Sequence, residues 1–227
     1  YFTLQKVKMK INKILVFILA IFIPYLLLMT GVRLVMTPAF PAMEYKRAGF
    51  PQDPYGFTIQ ERTKWSDYAV SYLTNDAGIE YLENLQDLTG QKMFAPDELT
   101  HMEDVKEVVT ISSTVWYVLG GVSIAILLWF VIMRQWDSIR KAFNAGGWIT
   151  VGLLSALLVF LAVSFDQLFV YFHRLFFEDG TWTFSQSSTL IRLFPFEFWR
   201  DAFVLVIGFA LLVGVLFVIV THKRKSR

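Results

Sequence analysis

Four uncharged runs decide what this chain of 227 residues can fold into. They are 19, 26, 24 and 20 residues long, at residues 14–32, 108–133, 142–165 and 202–221. A helix needs about 20 apolar residues to cross a bilayer core of ~30 Å. Only 18% of the residues are charged, against about 25% in an average soluble domain. The pattern predicts an all-α membrane protein with four transmembrane helices, at about 14–36, 108–133, 148–173 and 201–221.

The charges between these runs predict the orientation of the chain. Basic side chains dominate three segments: the N-terminal stretch with Lys6, Lys8, Lys10 and Lys13, the loop at 134–141, and the tail with Lys223, Arg224, Lys225 and Arg227. Such segments stay on the cytoplasmic side. Segment 37–107 carries 6 basic and 13 acidic residues, and segment 174–201 carries 3 basic and 4 acidic residues. We therefore expect cytoplasmic termini and an acidic outer face, which argues against a nucleic-acid partner.

The outer segment 37–107 is too long to be a simple connection. Between Thr58 and Leu88, apolar residues recur at helical spacing, which predicts one or two short amphipathic helices. We expect a small helical extracytoplasmic cap within a single membrane domain of residues 1–227. Two placements fit its aromatic residues Trp65, Tyr68 and Tyr72. They pack in the cap's own core, or they lie at the depth of the lipid headgroups.

The chain has no cysteine, which excludes a disulfide scaffold, a thiolate metal site and a cysteine nucleophile. Its three histidines are more informative. His222 lies in the basic tail, where a solvated role is expected. His101 precedes the second span and His173 follows the third, so both are expected near the outer interface although 72 positions separate them. The capping-box spacing of Thr100 and Glu103 predicts that His101 lies in the first turn of a helix.

Helix polarity suggests how such a pair divides its work. A helix N-terminus disfavours imidazolium and a C-terminus favours it, so His101 is predicted to stay neutral and basic, and His173 to be protonated more easily. Asp104 is spaced to orient His101. The pair suits general-base and general-acid catalysis, while a structural role remains the alternative for each histidine. No short-range ligand spacing such as HExxH is present, so we expect no metal.

Two further charged residues are candidates for a supporting role. Asp166 interrupts the third uncharged run near the outer leaflet, where a charge is uncommon and indicates either function or an inter-helix hydrogen bond. It shares a helix face with His173 but lies two turns away, so direct contact is not expected. Arg192 stands within an apolar run and is suited to bind a phosphate, a carboxylate or an oxyanion.

Several motifs carry a resemblance to a known family. They are His-Met-Glu-Asp-Val at 101–105, Thr-Leu-Ile-Arg-Leu-Phe-Pro at 189–195 followed by Phe198 and Trp199, Tyr55-Gly-Phe with Glu61 and Arg62, and the segment around Trp182. Together with the number and order of the spans, these motifs resemble the bacterial lipoprotein intramolecular transacylases, Lit. The resemblance covers nearly the whole chain. It departs from the family at Ser188, where an acidic residue often stands before the Thr-Leu-Ile-Arg stretch.

The resemblance implies an acyltransferase of the bacterial cell membrane that acts at the extracytoplasmic face. Enzymes of this family move the sn-2 acyl chain of a diacylglyceryl-modified lipoprotein to the α-amino group of its N-terminal cysteine. The product is a lyso-form, N-acyl S-monoacylglyceryl lipoprotein. The family's two essential histidines would correspond to His101 and His173. The implied partners are the lipoprotein substrate and membrane lipid, and no cofactor is implied.

This chemistry fits the candidate residues. The α-amino group has a pKa of about 7.7–8.0, so a nearby base is useful, and the oxyanion of the intermediate needs a donor, which His173 or Arg192 can supply. The absence of cysteine argues against the apolipoprotein N-acyltransferase route, which resembles the nitrilases.

Two alternatives remain at this point. They are a non-enzymatic membrane protein that binds a partner through its acidic cap, and a His-dependent lipid esterase in which water is the nucleophile.

Overall fold

The computed structural model describes residues 2–222, with side chains from residue 9 onward. The described part therefore excludes the side chains of Lys6 and Lys8 and the tail residues Lys223, Arg224, Lys225 and Arg227. Within residues 2–222 the secondary structure is helical apart from one bridge between Gln86 and Lys92. In chain order the helices are α1 (Phe2–Val35), α2 (Ala39–Glu44), α3 (Ile59–Thr74), α4 (Glu80–Glu83), α5 (Pro96–Ile132), α6 (Trp136–Val163), α7 (Phe165–Phe176), α8 (Thr189–Leu193) and α9 (Phe196–Thr221).

Four helices among the described residues are long and apolar enough to cross a membrane. They are α1 from Met9 onward, α5, α6 and α9. Their large apolar side chains are widely exposed, including Ile124, Leu128, Leu153 and Leu212. An exposed apolar surface of this extent suits contact with lipid chains. The all-α fold with four transmembrane helices is therefore confirmed, while the cytoplasmic placement of the termini remains a prediction.

Helix α5 begins earlier than the capping-box pattern predicts. Pro96 is its first residue, because the fixed φ of proline and its missing N–H suit the first helical position. The Glu98 carboxylate accepts the Ala95 N–H at 2.8 Å and caps the start. The Thr100 hydroxyl instead donates to the Pro96 carbonyl oxygen, so the predicted Thr100–Glu103 capping box is wrong. His101 consequently lies in the second turn of the helix.

The 37 residues of α5 extend about 55 Å, well beyond the ~30 Å of a bilayer core. Residues 96–107 carry six charged side chains, whereas residues 108–132 are uncharged. We assign the membrane crossing to residues 108–132, so that the first three turns of α5 precede it. His101 therefore lies outside the membrane-spanning segment.

The helix predicted for the third span at 148–173 differs in the structure. Helix α6 starts at Trp136, and its 28 residues, about 42 Å long, cross the membrane without the residues after Val163. Ser164 leaves the helical conformation, with φ −156° and ψ 79°, and α7 begins at the next residue. The rings of Phe160 and Tyr171 lie 6.2 Å apart, whereas 11 residues of straight helix would separate them by about 16 Å along the axis. The chain therefore bends at Ser164.

The chain divides into two compact units. The first comprises, among the described residues, 2–31, 113–159 and 206–222. Its helices approach closely at Gly147, where an added Cβ would lie 2.8 Å from the carbonyl oxygen of Gly214. Leu19, Ile126, Phe130 and Ala142 form a buried apolar cluster in this unit. Glycine at such a helix crossing allows the two backbones to pack directly.

The second unit comprises residues 32–112 and 160–205. Its core is built from the predicted cap together with α8 and the start of α9, and it contains Phe40, Trp65, Tyr72, Leu82, Phe94, Met102, Leu193 and Phe198. Thr58 and Glu61 form a capping box at the start of α3. Trp65 and Tyr72 are buried, and Tyr68 packs against the same core. The structure therefore supports packing of these aromatic residues in the cap's core, and their depth relative to the lipid headgroups stays a prediction.

Candidate active site

Both candidate histidines lie in the second unit, on different helices. His101 is in the second turn of α5, and His173 is in the last turn of α7. Their exposed fractions are 8% and 9%, which is low for a polar residue. The bend at Ser164 gives α7 its own direction, so His173 is not placed as the end of a straight third span. The sequence predicted the two residues as a pair, and the structure brings them together.

The two imidazole rings lie 6.3 Å apart, measured between centroids, with their planes inclined by 23°. At this separation they do not bond each other directly. One tetrahedral carbon with its substituents spans a few ångströms, so a single reacting group can contact both rings. The spacing is therefore compatible with one ester and one amine reacting at a common site.

The hydrogen bonding of His173 fixes the position of its proton. Its Nδ1 lies 2.8 Å from the carbonyl oxygen of Phe169, one turn earlier in α7. A carbonyl oxygen only accepts, so Nδ1 must donate and carry the hydrogen. In the neutral ring, Nε2 then holds the free lone pair. His173 is thus arranged as a proton acceptor at Nε2.

His101 is different, because its Nδ1 is buried without a hydrogen-bond partner among the described residues. Burial and the neighbouring His173 lower the pKa of His101 to about 4. Burial also lowers the pKa of His173, but its bond to the Phe169 carbonyl acts in the opposite direction. At neutral pH both rings are therefore neutral.

Aromatic rings enclose the pair. The segment between α7 and α8 places Phe177 5.0 Å from the His101 ring and 5.7 Å from the His173 ring. Trp182 lies 4.8 Å from His173 and Phe184 lies 5.4 Å from His101. Phe169 packs on His173 at 4.0 Å. The surroundings of both imidazoles are therefore largely apolar, which explains why the charged forms are disfavoured.

A buried carboxylate joins the start of α5 to α8. Glu98 lies one turn before His101 and is 2% exposed. Its Oε1 accepts the Leu190 N–H at 2.7 Å, while Oε2 accepts the Ala95 N–H. The Thr189 hydroxyl donates to the Met93 carbonyl oxygen beside it. The Glu98 carboxylate thus lies at the start of α8, which Ser188 precedes, although Glu98 is distant from α8 in the sequence.

Arg192 has a partner within the chain. Its Nη2 lies 2.8 Å from Oδ2 of Asp53, whose side chain is fully buried, and the guanidinium packs on the Phe57 ring at 3.4 Å. Burial acts to raise the pKa of Asp53, but Arg192 and the Phe57 N–H outweigh it and lower the pKa below its usual value. Arg192 is therefore already paired with a carboxylate of the chain, and its supporting role at the site stays a prediction.

The structure shows no hydrogen bond between the histidine rings and the remaining supporting candidates, Asp104 and Asp166, among the described residues. Asp104 is half-buried, and the structure shows no hydrogen bond from it to His101, so its orienting role stays a prediction. Asp166 is exposed in the first turn of α7, two turns before His173, as its spacing predicted. Among the residues with described side chains, no three histidine, aspartate or glutamate side chains are grouped to hold a metal.

A sequence model of the family described as lipoprotein intramolecular transacylase Lit matches residues 17–199. This match includes both histidines and covers most of the chain. The chain belongs to the Lit family. It is therefore an acyltransferase and a multi-pass membrane protein, as the sequence motifs indicated.

Other comparisons agree with this assignment. An uncharacterized protein of Aquifex aeolicus (strain VF5) is 30% identical over 221 residues, which is 94% of this chain and 96% of that protein. The structure of Lit from Bacillus cereus matches with a TM-score of 0.77 and 19% identity, over 93% of this chain and 94% of that one. A structure of the same protein with one histidine replaced by arginine matches with a TM-score of 0.73, 17% identity and coverage of 96% and 93%. The likeness to the solved structures shows that the Lit fold is shared.

Some site residues of this Lit-family chain were missed by the sequence analysis. No site role was predicted for Glu98, Phe177 and Phe184, because their roles depend on contacts across α5, α8 and the segment between α7 and α8. Asp53 was missed because its partner Arg192 lies 139 positions away. Trp182 was noted within an aromatic-rich loop and as part of a family motif, but no role in the site was predicted for it.

Proposed function

We propose that this protein moves the sn-2 acyl chain of a diacylglyceryl-modified lipoprotein to the α-amino group of the lipoprotein's N-terminal cysteine. The observation that carries the proposal is the buried pair of imidazoles 6.3 Å apart in a chain of the Lit family. Donor ester and acceptor amine belong to one substrate molecule. The reaction therefore needs a base and an oxyanion donor, but no acyl-enzyme intermediate.

The proposed roles of the histidines follow from their protonation. His173 acts as the base, because its Nδ1–H is held by the Phe169 carbonyl oxygen and its Nε2 lone pair is free. It takes a proton from the attacking amine and returns it to the departing glyceryl oxygen. His101 resists protonation, since its pKa is lowered to about 4. It acts as a neutral hydrogen-bond donor to the ester carbonyl oxygen. This assignment reverses the roles that helix polarity predicted.

The aromatic enclosure supports transfer over hydrolysis. Phe177 contacts both imidazoles, and Phe184 and Trp182 contact one each. An apolar enclosure limits the access of water to the tetrahedral intermediate and strengthens hydrogen bonds to the developing oxyanion. The tethered amine, held at high effective concentration, then competes successfully for the acyl group. These contacts favour the transacylase over the lipid esterase that the sequence left open.

We propose that the site faces the extracytoplasmic side of the bacterial cell membrane. The basis is the charge distribution, because segment 37–107 has more than twice as many acidic as basic residues, and the loop at 134–141 is basic. His101 lies in the acidic segment, just before the crossing of α5. The proposed partners are the lipoprotein substrate and the surrounding lipid, and the chemistry needs no metal or other cofactor.

The proposal is tested with the purified protein in lipid nanodiscs and a synthetic diacylglyceryl lipopeptide. Intramolecular transfer leaves the mass of the lipopeptide unchanged, so tandem mass spectrometry must locate the acyl chain on the N-terminal amine. We expect the amide-linked lyso-form with the wild-type chain and its loss with His173→Asn. An unchanged acyl position with folded wild-type protein would contradict the proposal, and free fatty acid would indicate an esterase.

A further inference from the structure

The segment between α7 and α8 contributes one ring with a polar group to the aromatic enclosure of the histidines. Gly180 turns the chain here with φ +95°, a conformation that suits glycine. Phe177 and Phe184, on either side of the turn, both contact His101. Trp182 lies between them in the sequence and packs on His173, with centroids 4.8 Å apart and planes inclined by 33°. Of these three rings, only the indole carries a hydrogen-bond donor.

The indole Nε1–H of Trp182 is buried, and it has no acceptor among the described residues. Buried polar groups in native proteins are paired in the large majority of cases, so each exception needs an explanation. The indole nitrogen only donates. The buried N–H is therefore available to an acceptor oxygen at this position.

Two arginines of the second unit, Arg192 and Arg62, have other contacts. Arg192 is paired with Asp53. The buried Arg62 also has an unpartnered Nε, but its guanidinium packs over the rings of Tyr45 and Phe50 and donates to the Pro51 carbonyl oxygen. Like His101, whose Nδ1 is also unpartnered, Trp182 thus combines a buried unpartnered ring nitrogen with a ring in contact with His173 among the described residues.

We propose that the Trp182 Nε1–H donates to the carbonyl oxygen of the substrate ester and, with His101, forms the oxyanion hole. This inference rests on the proposed function. The amine nitrogen bonds to the ester carbon, and the carbonyl electron pair moves onto oxygen, where Trp182 stabilises the charge. His173 takes the amine proton. The bond from carbon to the glyceryl oxygen then breaks as the carbonyl re-forms, and the proton goes to that oxygen. Trp182 gains and loses no proton.

The test compares Trp182→Phe with the matched control Trp65→Phe, which removes a buried indole from the cap's core. Both variants keep an aromatic ring, so packing on neighbours is largely preserved. We expect Trp182→Phe to lower kcat by about 10²-fold, the effect of removing one oxyanion donor, with little change in KM. Trp65→Phe should leave kcat per folded protein near the wild-type value. Trp182→His, which restores a ring N–H, should recover part of the loss.

Activities are normalised to folded protein from thermal unfolding in detergent. If Trp182→Phe does not fold, Trp182→His and Trp182→Leu provide the comparison of a donor with a non-donor of similar size. A wild-type kcat in Trp182→Phe, or a change in KM alone, would overturn the oxyanion role. Transfer by the wild-type chain is measured in the same assay. Failure of the wild type therefore contradicts the proposed function, whereas failure of the Trp182 effect alone contradicts only this inference.

Discussion

The imidazole rings of His101 and His173 lie 6.3 Å apart, although the two residues belong to different helices and are 72 positions apart in the chain. Their hydrogen bonds are unequal. His173 donates through Nδ1 to the Phe169 carbonyl oxygen, whereas Nδ1 of His101 has no partner among the described residues. This asymmetry gives the two histidines separate roles that substitution and titration can distinguish.

The first prediction concerns amide replacements of each histidine. His173→Asn retains a donor near the Nδ1 position but accepts no proton, so we expect transfer to fall by about 10²- to 10⁴-fold. At His101, Asn and Gln still present an N–H and should retain more activity than Ala. The measurement is the initial rate of amide formation. Equal loss in all His101 variants would instead favour the base role that helix polarity predicted.

The second prediction concerns the titration of the two rings. His101, with its pKa lowered to about 4, should stay neutral throughout the physiological range. The pKa of His173 is also below 6.5, so its base function should be present at neutral pH and be lost as the pH falls through that lowered value. Nitrogen-15 NMR of the protein with labelled histidine measures both pKa values, and the His101→Gln variant assigns the signals. A neutral His173 with its hydrogen on Nε2 would contradict the assigned tautomer.

The positions of the spans and of the histidine pair were readable in the sequence for different reasons. Four uncharged runs of sufficient length leave little freedom, because a charged interior is costly in lipid. His101 precedes the second span and His173 follows the third. The two were paired because these span ends are predicted on the same side of the membrane. The boundary between α6 and α7 at Ser164 was not visible, because the uncharged run continues through it. Helix α6 can end at Val163 and still be long enough to cross the membrane because it begins early, at Trp136.

The surroundings of the pair depend on contacts that a sequence pattern does not encode. Glu98 bonds the backbone of Leu190 across 92 positions, and Arg192 meets Asp53 across 139. The sequence pattern suggested that Arg192 binds a phosphate, a carboxylate or an oxyanion, but it did not indicate the pairing with Asp53. The orphaned indole N–H of Trp182 is likewise a property of tertiary burial and carries no sequence signal.

The third prediction concerns Glu98. Replacing it with Gln places an amide, with its own donors, against two backbone N–H groups, so one of them loses its acceptor. We expect a loss of about 1–3 kcal/mol in the free energy of unfolding and a lower transfer rate, because α8 and the start of α5 lose their connection. Thermal unfolding in detergent measures the first effect. Glu103→Gln, at an exposed position of the same helix, is the matched control and should be nearly neutral.

A stability as high as wild type in Glu98→Gln would show that the carboxylate is dispensable. Reduced transfer in Glu103→Gln as well would indicate a general effect of negative charge near the start of α5. Either result would remove the connecting role assigned to Glu98.

The fourth prediction concerns Asp53 and Arg192. Arg192→Gln leaves the buried Asp53 carboxylate without its cation, which should destabilise the fold by roughly 3 kcal/mol. The double variant Asp53→Asn with Arg192→Gln removes both charges and should recover much of the stability and activity. Persistent inactivity of a stable double variant would show that Arg192 itself contacts the substrate.

The same pair predicts a dependence of stability on pH. The pKa of Asp53 is lower in the folded than in the unfolded chain, where it is about 3.9. The stabilisation is therefore present above that unfolded value and is lost as the pH falls through the folded pKa. Thermal unfolding of Asp53→Asn should accordingly lack this acid-dependent component.

The central claim is that His173, assisted by His101, transfers an acyl chain within one lipoprotein. Tandem mass spectrometry of a synthetic diacylglyceryl lipopeptide, treated with wild-type protein or His173→Asn in nanodiscs, tests it most directly. The account predicts a product of unchanged mass whose N-terminal cysteine carries an amide-linked acyl chain, formed by the wild type and not by the variant. Equal formation of that product by both proteins, or release of free fatty acid by the wild type, would contradict it.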